Sequence, residues 1–198
     1  MSVTRMLGVG LLLSGLSALW LGPITDADGA QSTQDTKLGQ AGFRDESDVA
    51  LARWAFDRFD RAGLELPEVS IAFHDDRVAC DGHVGYYHSG EPASIDICGF
   101  NWDRFLVTPK KTILHELAHA WAQLSLDSET RSRFLDLRGL DIWQDKSVPW
   151  EEQGNEHAAE ILAWGLMDED LLLTSIGETG TLELAEAFEL LTGKTPLR

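Results

Sequence analysis

Apolar residues recur at helical spacing from Ser47 onward, where Val49, Leu51, Trp54, Ala55, Phe59 and Ala62 define one face until Gly63 and Pro67 stop the pattern. The next three apolar runs are shorter and rich in Val, Ile, Tyr and Phe. They are EVSIAFH (68–74), HVGYYHS (83–89) and ASIDICG (93–99), separated by Asp, Gly and Pro clusters, and they predict the strands of a small antiparallel or mixed sheet. SGEP at 89–92 reads as a hairpin turn. The helical period returns in VTPKKTILHELAHAWAQLSL, with Thr108 as its cap and Pro109 at the first helical position, where a missing N–H costs nothing. Ile113, Leu117, Ala120, Trp121 and Leu124 spread over so much of this helix that it must be central to the fold. A shorter helix is expected over 128–137, its start signalled by Ser128, followed by a loop over 138–150. NEHAAEILAWGLMD (155–168) and TLELAEAFELLTG (181–193) predict two more helices, the last closed by Gly193 and Pro196. The expected class is α+β: a small sheet packed on a central helix, with a helical C-terminal portion.

A chain of 198 residues with 43% hydrophobic content fits one globular domain. Its first 24 residues place a single basic residue, Arg5, before an apolar run from Leu7 to Ile24. That pattern reads as an export signal over residues 1–30, cut after Ala27 or Ala30, or else as an uncleaved single-span anchor. Residues 31–46 are polar and read as a flexible lead-in, which leaves 47–198 as the folded domain. Export implies a secreted or extracytoplasmic protein. In such a compartment the two cysteines, Cys80 and Cys98, are expected to form one disulfide. The net charge of −17 repels phosphates and anionic lipid, so neither nucleic acid nor a membrane surface is an expected partner, apart from an N-terminal anchor. A monomer is expected.

The chemistry concentrates in TILHELAHAW, residues 112–121. Positions four apart on a helix lie one above the other, so His115 and His119 can offer two imidazoles to one metal ion. Glu116 is rotated about a quarter turn from His115, beside such an ion rather than on it, where a carboxylate can take a proton from water. The flanking residues Ile113, Leu114, Leu117, Ala118, Ala120 and Trp121 leave these three little polar face to share with solvent. Buried His and Glu need partners, and a metal would satisfy all three.

This HExxH arrangement resembles that of the zincin metallopeptidases. The metzincin extension is absent, because Ala122 and Ser125 stand where that branch has Gly and His. Residues 155–160, Asn155 to Glu160, look like the NExxxD pattern of the gluzincin branch, which includes thermolysin, with Glu in place of Asp. EHAAEILA is also similar to the third-ligand helix of ImmA/IrrE-type peptidases. The resemblance covers the two motif helices and the preceding sheet. It implies a zincin-like fold that holds Zn2+ through His115, His119 and Glu156, with Glu160 accepting a hydrogen bond from the His115 ring. Glu152, Glu156 and Glu160 also have the spacing of a solvated acidic stripe, and His157 and Asp141 are the reserve ligands. Ala159 and Ala163 would let that helix approach Ala118 closely. The resemblance further implies peptide-bond hydrolysis with Glu116 as general base. ASIDICG would be the edge strand that receives an extended peptide or protein substrate. Tyr86, Tyr87, His88 and His83 are candidates to assist an oxyanion, and Trp143 and Trp150 to line the cleft. The alternatives are a zincin-fold protein that only binds a partner at the cell surface, and a zinc amidase acting on cell-wall peptides.

Overall fold

The structure, a computed structural model, describes residues 42–99, 109–169, 176–177 and 179–198. The expected export signal, residues 31–41 of the lead-in and the Thr108 cap lie outside the described residues. In chain order the elements are α1 (Glu46–Arg61), β1 (Val69–His74), β2 (Gly85–His88), β3 (Ala93–Cys98), α2 (Pro109–Ser125) and α3 (Ser128–Arg138). A 3-10 turn (Trp150–Glu152), α4 (Gly154–Leu166) and α5 (Thr181–Thr192) follow. The class is α+β, with five α-helices and a three-stranded sheet among the described residues.

Local chemistry sets the helix ends. The Asp45 side chain accepts from the N–H groups of Ser47 and Asp48 at the start of α1, and the basic residues Arg58 and Arg61 occupy its last turn, where the helix dipole favours them. At α3 the cap is Asp127 rather than Ser128: the Asp127 carboxylate accepts from the Thr130 N–H at 2.7 Å. Gly193 ends α5 in the left-handed region, with φ 66°, as expected for a glycine just past a helix.

The sheet is mixed, in the order β1-β3-β2. β1 runs parallel to β3, from Val69 opposite Ala93 to His74 opposite Cys98, and β2 pairs antiparallel with β3 through the 89–92 turn. This arrangement corrects the expectation that ASIDICG is an edge strand. The hairpin places β2 on one side of β3, the return of the chain from β1 places β1 on the other, and β3 is interior. Gly42 bridges to the outer side of β1, its N–H donating to Ile71 O at 3.1 Å and its carbonyl accepting from Phe73 N at 3.0 Å. The outer edge of β2 pairs with no other described segment.

Strand alternation puts Val69, Ile71, Phe73, Ile95 and Ile97 on the inner face, where they are buried with Phe56 and Phe59 of α1 and Ile113, Leu114 and Leu117 of α2. A disulfide joins Cys80, in the loop after β1, to Cys98 at the end of β3. α4 packs along α2, and Ala118, Ala159 and Ala163 are all buried in the contact region. α5 in turn packs on α4 at Gly165, where an added Cβ would lie 2.2 Å from Cδ2 of the buried Phe188 ring. Gly165→Ala therefore forces a steric conflict in a close-packed interior. Chemical denaturation should find it destabilised by about 1–3 kcal/mol; an unchanged midpoint would show that the α4–α5 contact is looser than described.

Candidate metal centre

Two helices build the site. His115, Glu116 and His119 come from the middle of α2 and Glu156 and Glu160 from α4, which packs along it. The Nε2 atoms of His115 and His119 are 3.1 Å apart, and each is 3.2 Å from Oε2 of Glu156. These three residues form a group that can hold a metal ion. A tetrahedral zinc with bonds of about 2.0–2.1 Å needs its donors roughly 3.3 Å apart. The triangle is within a few tenths of an ångström of that spacing, and two imidazoles with one carboxylate is a donor set suited to zinc.

The surrounding groups fix the donors. Oε1 of Glu160 lies 3.3 Å from Nδ1 of His115, an ion-pair contact on the far side of the ring from the donor triangle that does not reach hydrogen-bond geometry. Oε2 of the same carboxylate is paired with Lys111 Nζ at 2.8 Å, and both side chains are largely buried. Asn155 donates from Nδ2 to Oε1 of Glu156 at 3.0 Å, leaving Oε2 to face the histidines. The Trp150 ring stacks on His115, and the Tyr87 ring on His119, each with centroids 6.1 Å apart.

Glu116 does not join the triangle. It lines a cleft of about 580 Å³ together with His115, His119 and Glu156. Burial pushes its carboxyl pKa up, against the pull of His115 and His119. Room for it is made by Gly85 of β2, since a Cβ there would lie 2.5 Å from Oε1 of Glu116.

Of the other sequence candidates, His83, Tyr87 and Trp150 line the cleft, and Tyr86 borders it. His88 is turned to the outer sheet face, its Nε2 2.8 Å from an Asp96 oxygen whose partner oxygen contacts His74. His157 is buried outside the donor group, its Nε2–H donating to Glu151 O at 2.8 Å. Asp141 is likewise outside that group, and Trp143 packs against Phe134 while lining a pocket that adjoins His119. Gly85 and Lys111 were missed by sequence reasoning, although both carry a signal. Gly85 is an isolated glycine within a strand pattern, a mark of close approach, and Lys111 sits four residues before His115 on the same helix face.

Without metal the charges compensate one another. Burial disfavours the charged His115, but Glu156 and Glu160 outweigh it and push its pKa up from 6.5 to about 10. Burial likewise opposes ionisation of Glu156 and Glu160, and their histidine partners, with Lys111 at Glu160, bring both below the ordinary 4.5. The His115 contribution to stability is complete below pH 6.5 and is lost as pH rises toward about 10. Those of Glu156 and Glu160 are complete above 4.5 and are lost as pH falls below it. Glu116, whose pKa is raised, adds a loss that begins above 4.5. Burial lowers the His157 pKa, which adds a loss as pH falls below 6.5, so chelator-treated protein should have its highest Tm near pH 6.5 and fall on both sides in thermal melts; a rising Tm between pH 7 and 9 would contradict the charge pairing. In comparisons with known proteins, no family model, curated protein or solved structure matches this chain.

Proposed function

We propose that this chain is an exported, zincin-like, zinc-dependent peptidase in which Glu116 is the general base. The observation that carries the reading is the donor triangle of His115, His119 and Glu156, with edges of 3.1–3.2 Å, opening on a cleft that also contains Glu116. When bound there, zinc supplies Lewis acidity, acidifying water and polarising a carbonyl. Glu116 takes the proton from the attacking water and passes it to the departing amine. Its raised pKa suits the first half of that transfer, because the carboxylate of a weaker acid is a stronger base toward the water proton. Glu160 holds the His115 ring, and Lys111 holds Glu160. The Cys80–Cys98 disulfide supports the exported location, since such bonds persist outside the reducing cytosol.

An extended substrate would pair with β2 rather than β3. The Cys98 N–H donates to Val84 O at 2.9 Å, so antiparallel alternation turns the N–H and C=O groups of Gly85 and Tyr87 toward the unpaired edge, beside the cleft.

Glu116→Gln should keep its metal, measured by elemental analysis of the purified chain, while hydrolysis of an unfolded protein substrate falls by about 10²-fold or more. Equal turnover in that variant would remove Glu116 from its role. Glu156→Ala should lose metal that Glu152→Ala retains, and the reverse order would assign the third donor elsewhere.

A further inference from the structure

Beyond His119 the cleft continues into a second pocket of about 280 Å³ whose chemistry differs from the rest of the surface. Tyr87, His119, Gln144 and Asn155 line both spaces, so the two are continuous. The pocket is lined by Arg131 and by the neutral polar side chains of Tyr87, Ser89, Gln123, Gln144 and Asn155, and no Asp or Glu among the described residues contributes to it. In a chain with 33 acidic against 16 basic residues, a pocket with a cation and no acid runs against the composition.

Arg131 is held in place with most of its hydrogen-bonding capacity left over. Its guanidinium stacks over the Trp143 ring at 5.2 Å, and Nη2 donates weakly to the carbonyls of Ala122 and Gln123 at 3.3 and 3.5 Å, at the end of α2. Among the described residues no carboxylate forms an ion pair with it, although Asp127 one helical turn away feels its charge; its Nε is buried without a partner, so the Nη groups are the ones available to a ligand. A guanidinium presents five N–H donors in a planar fork that matches a carboxylate. Tyr87 bonds to Gln123 Oε1 at 2.8 Å, which fixes that amide's oxygen and leaves its NH2 group to donate.

We propose that this pocket binds a carboxylate group of the substrate, placing an anion next to the scissile bond. The inference rests on the peptidase reading above and adds the substrate class: peptides carrying a negative charge near the point of cleavage. That charge can be a C-terminal α-carboxylate, which would make the enzyme trim chain ends, or an acidic side chain, which would make it cut internally beside Asp or Glu.

Binding, rather than turnover, tests the pocket. Three peptide hydroxamates that differ only in their anion serve as probes, titrated calorimetrically into the zinc-loaded chain. One ends in a free C-terminal carboxylate, one is amidated but carries an aspartate, and one is amidated with asparagine in its place. The expected result is at least tenfold tighter binding of one acidic probe than of the neutral one. A preference for the first assigns chain-end trimming, and a preference for the second assigns internal cleavage. Arg131→Gln should abolish that difference while leaving the neutral probe's affinity unchanged, and Arg131→Lys should restore part of it. Equal binding of all three probes by the wild-type chain overturns the carboxylate pocket and leaves the peptidase reading standing. Failure of every hydroxamate to bind overturns both. The wild-type comparison needs no variant, so a folding defect at Arg131 does not blunt the test.

Discussion

The structure turns on one electrostatic problem, the burial of ionisable groups between α2 and α4. His115, Glu116 and Glu160 are each less than a tenth exposed, in a region otherwise made of Ile, Leu and Ala side chains. Charges removed from water are costly unless paired: His115 and Glu160 find partners on a different turn or a different helix, while burial pushes the Glu116 carboxyl pKa up. Lys111, Glu160, His115 and Glu156 form a chain of alternating charge that ends at His119, with every link at 2.8–3.3 Å. Ala118, Ala159 and Ala163 are buried on the two helices that carry that chain. The packing and the chemistry are thus the same feature seen from two sides.

The sheet contributes by proximity rather than by ligands. β2 lies against α2 with a glycine at the point of closest approach, so the general-base candidate is enclosed by backbone instead of by a side chain that would push it aside. Tyr87 follows two residues later and covers His119. Its neighbours Tyr86 and His88 face the other way and join Asp96 and His74 on the outer surface. One strand therefore serves both the cleft and the outer face, through simple alternation.

Much of this was legible in the sequence because it depends on spacing. The i, i+4 pair His115 and His119 announces itself, and so do the helix carrying Glu156 and Glu160 and the three short β-rich runs. What was illegible depends on which strand neighbours which. ASIDICG has the composition of any short strand, and nothing local says that it will be flanked on both sides. His157 stood as a reserve for Glu156, but one position along a helix is a rotation of about 100°, enough to send it to Glu151 instead. Arg131 gave no signal at all, since a lone arginine on a short polar helix resembles any surface cation until Trp143 and the end of α2 are seen around it.

The donors reach the site from segments 37 to 41 positions apart along the chain, with the acid last. In chain order the two imidazoles come first and the carboxylate that lies between them in the triangle comes last. Only with α4 does the third donor arrive. A polypeptide truncated before α4 thereby keeps both imidazoles but lacks the carboxylate that completes the candidate donor triangle.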